Sequence, residues 1–213
     1  MEWARKMEPI AYDRKKISKL MTSKGVNVLI ASTPENVFYS SGMPVRHIEN
    51  NPILYVLGNQ YPNLVVIKQD GEEALISWQL FSSTPIASWI KDVRGCMSPD
   101  DALNSLVSLV QESKLSSGGT IGIESRMPYY QYEHLAKQFP KAKIRVSDDV
   151  FIEMRLEKSE EELRRIREST RITEKAIQAM IDMVAEGVSD KEFIKTAKLK
   201  IIEEGGMGAD HVT

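Results

Sequence analysis

Few residues in this sequence have the type and spacing to do chemistry. The histidines are His47, His134 and His211. They lie far apart, and none falls in an H-E-x-x-H or other metal-ligand spacing. Asp210 precedes His211, but a dinuclear metal site needs about four to six ligands, which two neighbours cannot supply. His134 stands among Tyr129, Tyr130, Tyr132, Leu135 and Phe139 and reads as structural. No G-x-S-x-G elbow, Walker loop or G-x-G-x-x-G occurs. Gly205-Gly206-Met207-Gly208 follows a helical pattern instead of opening one, the wrong side for cradling phosphate. Cys96, the single cysteine, can form neither an internal disulfide nor a cysteine-based zinc site, and reads as a small buried hydrophobe.

One stretch could bind a ligand: Ser40-Ser41-Gly42-Met43-Pro44-Val45-Arg46-His47. Glycine and proline bracket a turn, and Arg46 and His47 are then presented together. Such a pair suits a carboxylate, with arginine as a planar fork and histidine as a tunable donor. The plainer alternative is an ordinary polar loop. The acidic stretch from Glu157 to Glu168 is interleaved with arginine and reads as a solvated helix face.

The elements around that stretch follow from periodicity. Asp13 to Ser23 is an amphipathic helix with Ile17, Leu20 and Met21 on one face. Val26 to Ala31 is an apolar run of strand length, and Ser32-Thr33-Pro34-Glu35-Asn36 is a turn and cap signal leading into Val37-Phe38-Tyr39. Ile53 to Leu57, Leu64 to Ile67, Ala74 to Trp78, Thr120 to Glu124 and Lys143 to Val146 read as strands. Asp70-Gly71 between two of them gives a hairpin. Ser98-Pro99-Asp100 opens a helix that runs through Val110 with Leu103, Leu106, Val107 and Val110 inward, and Tyr129 to Phe139 forms another. Alternating strands and helices with one hairpin predict an α/β fold: a mixed β-sheet flanked by helices.

From Ser159 onward the sequence is helical and highly charged. Ser159 with Glu162, and Ser189 with Glu192, are capping boxes. Glu160 with Arg164 and Glu161 with Arg165 have the favoured i,i+4 order. The first of these helices carries two apolar stripes. Leu163, Ile166, Thr170, Ile177, Met180, Ile181 and Val184 make one; Ile172, Ala176, Ala179 and Met183 make the other. The following helix turns Phe193, Ile194, Ala197, Ile201 and Ile202 inward. Two stripes call for partners on two sides, and two helices alone are too small to bury a core. Residues 154–213 are therefore expected to be the incomplete start of a second domain, after a first domain at 1–153.

The 213 residues carry 28 basic and 30 acidic side chains, 42% hydrophobic and 27% charged residues, as in folded proteins. A net charge of -2 shows no basic excess, so nucleic acid is not expected as a partner. Neither a signal peptide nor a membrane-spanning run is evident, which predicts a cytoplasmic protein that does not engage membranes.

Two stretches carry a family resemblance. Asn36-Val37-Phe38-Tyr39-Ser40-Ser41-Gly42-Met43 resembles the N-I-x-Y-L-T-G-F signature of creatinase and prolidase N-terminal domains. Met154 to Arg167 resembles that family's interdomain junction, M-R-x-I-K-S-x-x-E-I-x-x-I-R, although Leu156 and Glu157 depart from its order. Glu186 to Glu192 is similar to x-G-x-T-E-x-E, and Gly205 to Val212 falls where the family has G-A-x-x-x-S-F.

The resemblance implies a creatinase/prolidase N-terminal-like domain followed by the first helices of a pita-bread α+β metallopeptidase domain. Prolidases and Xaa-Pro aminopeptidases use two divalent metal ions (Mn, Co or Zn) to hydrolyse the bond preceding proline in short peptides. The ligands of those metals lie beyond the segment matching Gly205 to Val212, so this chain is expected to hold no metal and to be inactive alone. Family members are usually homodimers, and the loop after the signature helps shape the substrate pocket of the neighbouring subunit. That loop here contains Met43, Arg46 and His47, which makes Arg46 and His47 candidates for binding a short proline-containing peptide. A creatinase-like amidinohydrolase and a non-catalytic, peptidase-like protein-binding module are the alternatives.

Overall fold

The computed structural model describes residue 9 and residues 11–43, 62–78, 88–115 and 118–206. They form two compact units that divide between Glu157 and Lys158. The expected division at 153/154 falls inside the last helix of the first unit.

The first unit is a six-stranded sheet in the order β4-β3-β2-β1-β5-β6. Its strands are β1 (Val28–Ala31), β2 (Leu64–Lys68), β3 (Glu73–Trp78), β4 (Asp92–Cys96), β5 (Thr120–Ile123) and β6 (Lys143–Val146). β1 is antiparallel to β2 and β2 to β3, whereas β3–β4, β1–β5 and β5–β6 are parallel. The α/β mixed sheet expected from the sequence is the observed architecture. Gly71 turns the β2–β3 hairpin at φ 93°, a conformation open to glycine without penalty.

Side chains alternate across the strands and feed two cores. Leu29, Ala31, Val65 and Ile67 face one side with Ile17, Met21, Val37, Phe151 and Met154. Val28, Ile30, Leu64 and Val66 face the other with Leu106, Leu109, Ile121 and Leu135. A strand covered on both faces is apolar at every position, which is why Val28–Ala31 is buried throughout.

The first face is covered by α1 (Arg14–Ser23), α2 (Pro34–Ser41) and α5 (Asp148–Leu156), and the second by α3 (Pro99–Glu112) and α4 (Tyr129–Gln138). Asp13 caps α1 by accepting from the amides of Lys15 and Lys16 at 2.8 and 3.1 Å. Ser98 caps α3 in the same way through Asp101 at 3.1 Å. Leu109 is buried in α3 where Val107 was expected, and Val107 is half-buried.

Three elements differ from the sequence reading. β4 was not foreseen, because Asp92-Val93-Arg94-Gly95-Cys96 lies at the sheet edge and lacks the apolar alternation of a covered strand. α2 extends the cap signal at Thr33-Pro34 through Ser40 and Ser41, which the sequence placed in a loop. α5 was unassigned. The predicted strand Ile53 to Leu57 lies outside the described residues.

The second unit consists, among the described residues, of α6 (Glu160–Asp182) packed on α7 (Asp190–Glu203). Both capping boxes are formed. Arg164 pairs with Glu161 instead of Glu160, and Arg165 shares the same carboxylate. Ala176 and Ala197 are buried, with Ile172, Ala179, Met183 and Phe193 half-buried. The other stripe of α6 is open: Ile166, Ile177, Ile181 and Val184 are exposed by 46% or more. No described helix is long and apolar enough to cross a membrane.

Candidate functional site

The carboxyl ends of parallel strands are where open α/β sheets place ligands, often against a helix N-terminus. Here β1 and β5 lie side by side and parallel, and α2 begins two residues beyond β1, after Ser32 and Thr33. The first residue after β5 is Glu124, 3% exposed. Its carboxylate sits where an anion would sit. It accepts hydrogen bonds from the Ser32 amide, the Ser32 hydroxyl (3.1 Å), the Thr33 amide (2.7 Å), the Thr33 hydroxyl (2.6 Å) and Asn36 Nδ2 (2.6 Å). Thr33 is the N-cap of α2, yet its own hydroxyl makes no cap bond within the helix. Glu124 instead takes the Thr33 hydroxyl and the two amides that lead into the helix. The crevice is thus filled by the protein itself, and it serves to anchor α2.

Two further clamps act along α2. Asn36 Oδ1 accepts from Arg155 Nη1 at 3.1 Å, and the Arg155 guanidinium carbon lies 5.8 Å from the centroid of the Tyr39 ring, within cation–π range. The Tyr39 hydroxyl donates toward the carbonyls of Ala11 (3.3 Å) and Met154 (3.4 Å). At the C-terminal end, Gly42 adopts φ 70° and its amide donates to Phe38 O at 2.7 Å, a left-handed cap. Ser88 Oγ donates to Ser41 O at 2.7 Å, and Trp89 packs against Gly42.

Met43 is 5% exposed and belongs to the core, where Ser77 Oγ lies 3.6 Å from its sulfur. Arg46 and His47, the candidate substrate-binding residues, lie outside the described residues, as do Asp210 and His211. His134 is half-buried on α4. Cys96 is buried and free, and burial, with Asp101 nearby, pushes its thiol up to about 11. It is therefore protonated at neutral pH and a poor nucleophile.

The sequence reading did not single out Glu124, Trp89 or Arg155 as site residues. Glu124 and its partners Thr33 and Asn36 are 91 and 88 residues apart, and no local pattern joins them. Among the described residues, no group of three or more His, Cys, Asp or Glu side chains is placed to hold a metal ion. The described residues therefore supply no ligand set for a dinuclear metal centre.

Comparison with known proteins gives a consistent result. Residues 14–156 match the model of the Creatinase/Prolidase N-terminal domain. An Xaa-Pro dipeptidase of Pyrococcus horikoshii is 37% identical over 73 residues, which are 34% of this chain and 21% of that protein. An Xaa-Pro dipeptidase of Pyrococcus furiosus is 24% identical over 181 residues, 83% of this chain and 44% of that protein. Among solved structures, prolidase from Pyrococcus furiosus aligns with TM-score 0.70 at 21% identity, covering 92% of this chain and 54% of its own. An X-Pro aminopeptidase from Thermotoga maritima aligns with TM-score 0.71 at 18% identity, covering 92% and 50%. The chain spans less than half the length of these two curated relatives.

Proposed function

The chain belongs to the creatinase/prolidase N-terminal domain family, and from that premise we propose that it is the N-terminal part of an Xaa-Pro dipeptidase or aminopeptidase. Its role in this reading is to supply substrate-pocket and dimer contacts, while hydrolysis of the bond preceding proline occurs on the pita-bread domain that α6 and α7 begin. The observation that carries the proposal is the match to a dipeptidase over 83% of the chain, a span too long for the first unit alone. The open apolar stripe of α6 supports it, since such a face is stable only when covered.

Two divalent metal ions, Mn, Co or Zn, supply in this reading the activated water and the Lewis acid for peptide hydrolysis, held by residues beyond this chain. Arg46 and His47 come in the sequence after Pro44 and Val45, beyond the anchored stem at Gly42–Met43, and they offer donors suited to a peptide carboxylate or carbonyl. A homodimer, in which they serve the neighbouring subunit, and a cytoplasmic location complete the proposal.

The test uses the protein that carries this chain at its relatives' full length, with Mn added and Xaa-Pro dipeptides as substrate. Arg46→Ala and His47→Ala should each raise KM by about tenfold, the loss of one charged or polar binding contact. Unchanged kinetics in both variants would remove the two residues from the pocket. Absence of Xaa-Pro cleavage by the unaltered protein would sink the peptidase reading itself.

A further inference from the structure

We infer that Ala11 and Tyr12 form a strap over Trp89, closed by a small margin and able to open while the sheet of the first unit stays folded. The inference is independent of the peptidase reading and holds whatever reaction the full-length protein carries out.

The strap has a fixed hinge. Asp13 caps α1 through the amides of Lys15 and Lys16. Arg14 donates to Glu73 Oε1 from Nε at 2.8 Å and from Nη2, which pins the start of α1 to the start of β3. Beyond that hinge the contacts are few. The Ala11 carbonyl accepts from the Tyr39 hydroxyl at 3.3 Å, a long hydrogen bond. Tyr12, 4% exposed, stacks on Trp89 with ring centroids 6.3 Å apart and planes at 23°. Trp89 packs in turn against Gly42.

Closure buries polar atoms that it does not satisfy. Among the described residues, the Tyr12 hydroxyl, Glu73 Oε2 and the Trp89 indole N–H are buried without a hydrogen-bond partner. Both Arg14 donors go to the other oxygen of Glu73, so the ion pair leaves Oε2 unsatisfied. Burial, and after it the charge of Glu73, raise the Tyr12 hydroxyl above its ordinary pKa, so it remains an O–H at neutral pH. Each unsatisfied buried group weighs against closure by about fivefold to a hundredfold in the equilibrium. Ordering the backbone of two residues weighs in the same direction. Against these stand the burial of one aromatic ring, its stacking on Trp89 and one long hydrogen bond. The two sides are of similar size, and opening returns all three polar atoms to water. A segment held this way opens locally, well below the free energy needed to unfold the sheet.

Hydrogen exchange in the full chain tests the inference, with the Trp89 indole N–H assigned by its loss in Trp89→Phe. Local opening exposes little surface, so indole exchange should be nearly independent of low urea concentrations. Exchange of the Ile30 amide in β1 should rise steeply over the same range. Tyr12→Phe keeps the ring and the stack and removes the unsatisfied hydroxyl, so it should slow indole exchange about fivefold or more. Tyr12→Ala removes the ring and should quicken it about tenfold or more, with the weak urea dependence retained. Should Tyr12→Ala fail to fold, Tyr12→Phe still decides. Faster indole exchange in Tyr12→Phe would show that the hydroxyl holds the strap shut, and indole exchange that rises with urea in parallel with Ile30 would show that no local opening exists. Either result overturns the inference.

Discussion

The ring of Trp89 occupies the space where a side chain at Gly42 would begin: a Cβ built there would come within 2.7 Å of Trp89 Cε3, and closer still to Cζ3. Gly42 is therefore required twice, by its left-handed φ of 70° and by the indole beside it. Trp89 is held in turn against Tyr12, with ring centroids 6.3 Å apart, so the indole has little room to retreat.

Gly42→Ala should accordingly destabilise the first unit by about 2–4 kcal/mol, combining about 1 kcal/mol for the left-handed conformation with an overpacking cost. Adding Trp89→Leu should recover the overpacking part and not the conformational part. Urea unfolding of the single and double variants measures both. Equal destabilisation with and without Trp89→Leu would show that the ring does not constrain position 42.

Glu124 tests the filled crevice. Glu124→Gln keeps the size but turns one acceptor into a donor facing groups that already donate, and should cost about 2–3 kcal/mol. Glu124→Ala leaves the amides of Ser32 and Thr33 without their partner at the start of α2 and should cost more, about 3–5 kcal/mol. Denaturant midpoints check the order, and a Gln variant as stable as the original would show that the carboxylate is not the anchor.

The second unit should weaken in acid. Hydrogen bonds from Arg164 and then Arg165 lower the Glu161 carboxyl to about 2, below its value of about 4.3 in an unfolded chain. A depressed carboxylate contributes stability that is fully present above the unfolded value and is lost as pH falls through the folded one. For Glu161 the window runs from about 4.3 down to about 2. Glu168 and Glu204 are lowered in the same direction, Glu168 by Arg171 and Glu204 by Arg171 and then Lys200, so the contact between α6 and α7 should loosen over the acid range. These ion pairs lie at the surface with exposed or half-buried partners, so the effect should be small and should shrink in salt. A carboxyl-resolved NMR titration of Glu161 checks the midpoint, and a value near 4.3 would remove the argument.

Much of the frame was legible because it is local. The run Val28–Ala31, the Asp70-Gly71 turn and the capping boxes at Ser159 and Ser189 are each specified by neighbours within a few residues, and each is present. The two stripes of α6 were legible for the same reason, and only one of them is closed by α7. β4 was illegible because an edge strand need not be apolar, and its register, Ala74 opposite Asp92 through Trp78 opposite Cys96, is set by a neighbour that local sequence does not reveal.

By itself the sequence determined the alternation of strands and helices, the start of the charged helical segment at Ser159, and the two stretches, 36–43 and 154–167, that carry the family resemblance. Only the tertiary structure decided that those stretches meet, with Arg155 on Asn36 and Tyr39, and that Glu124 fills the crevice at the end of β1 and β5. The physical reason is range. Periodicity and caps act over one or two turns, whereas a buried carboxylate selects its donors by where the packed sheet brings them, and no spacing along the chain records that.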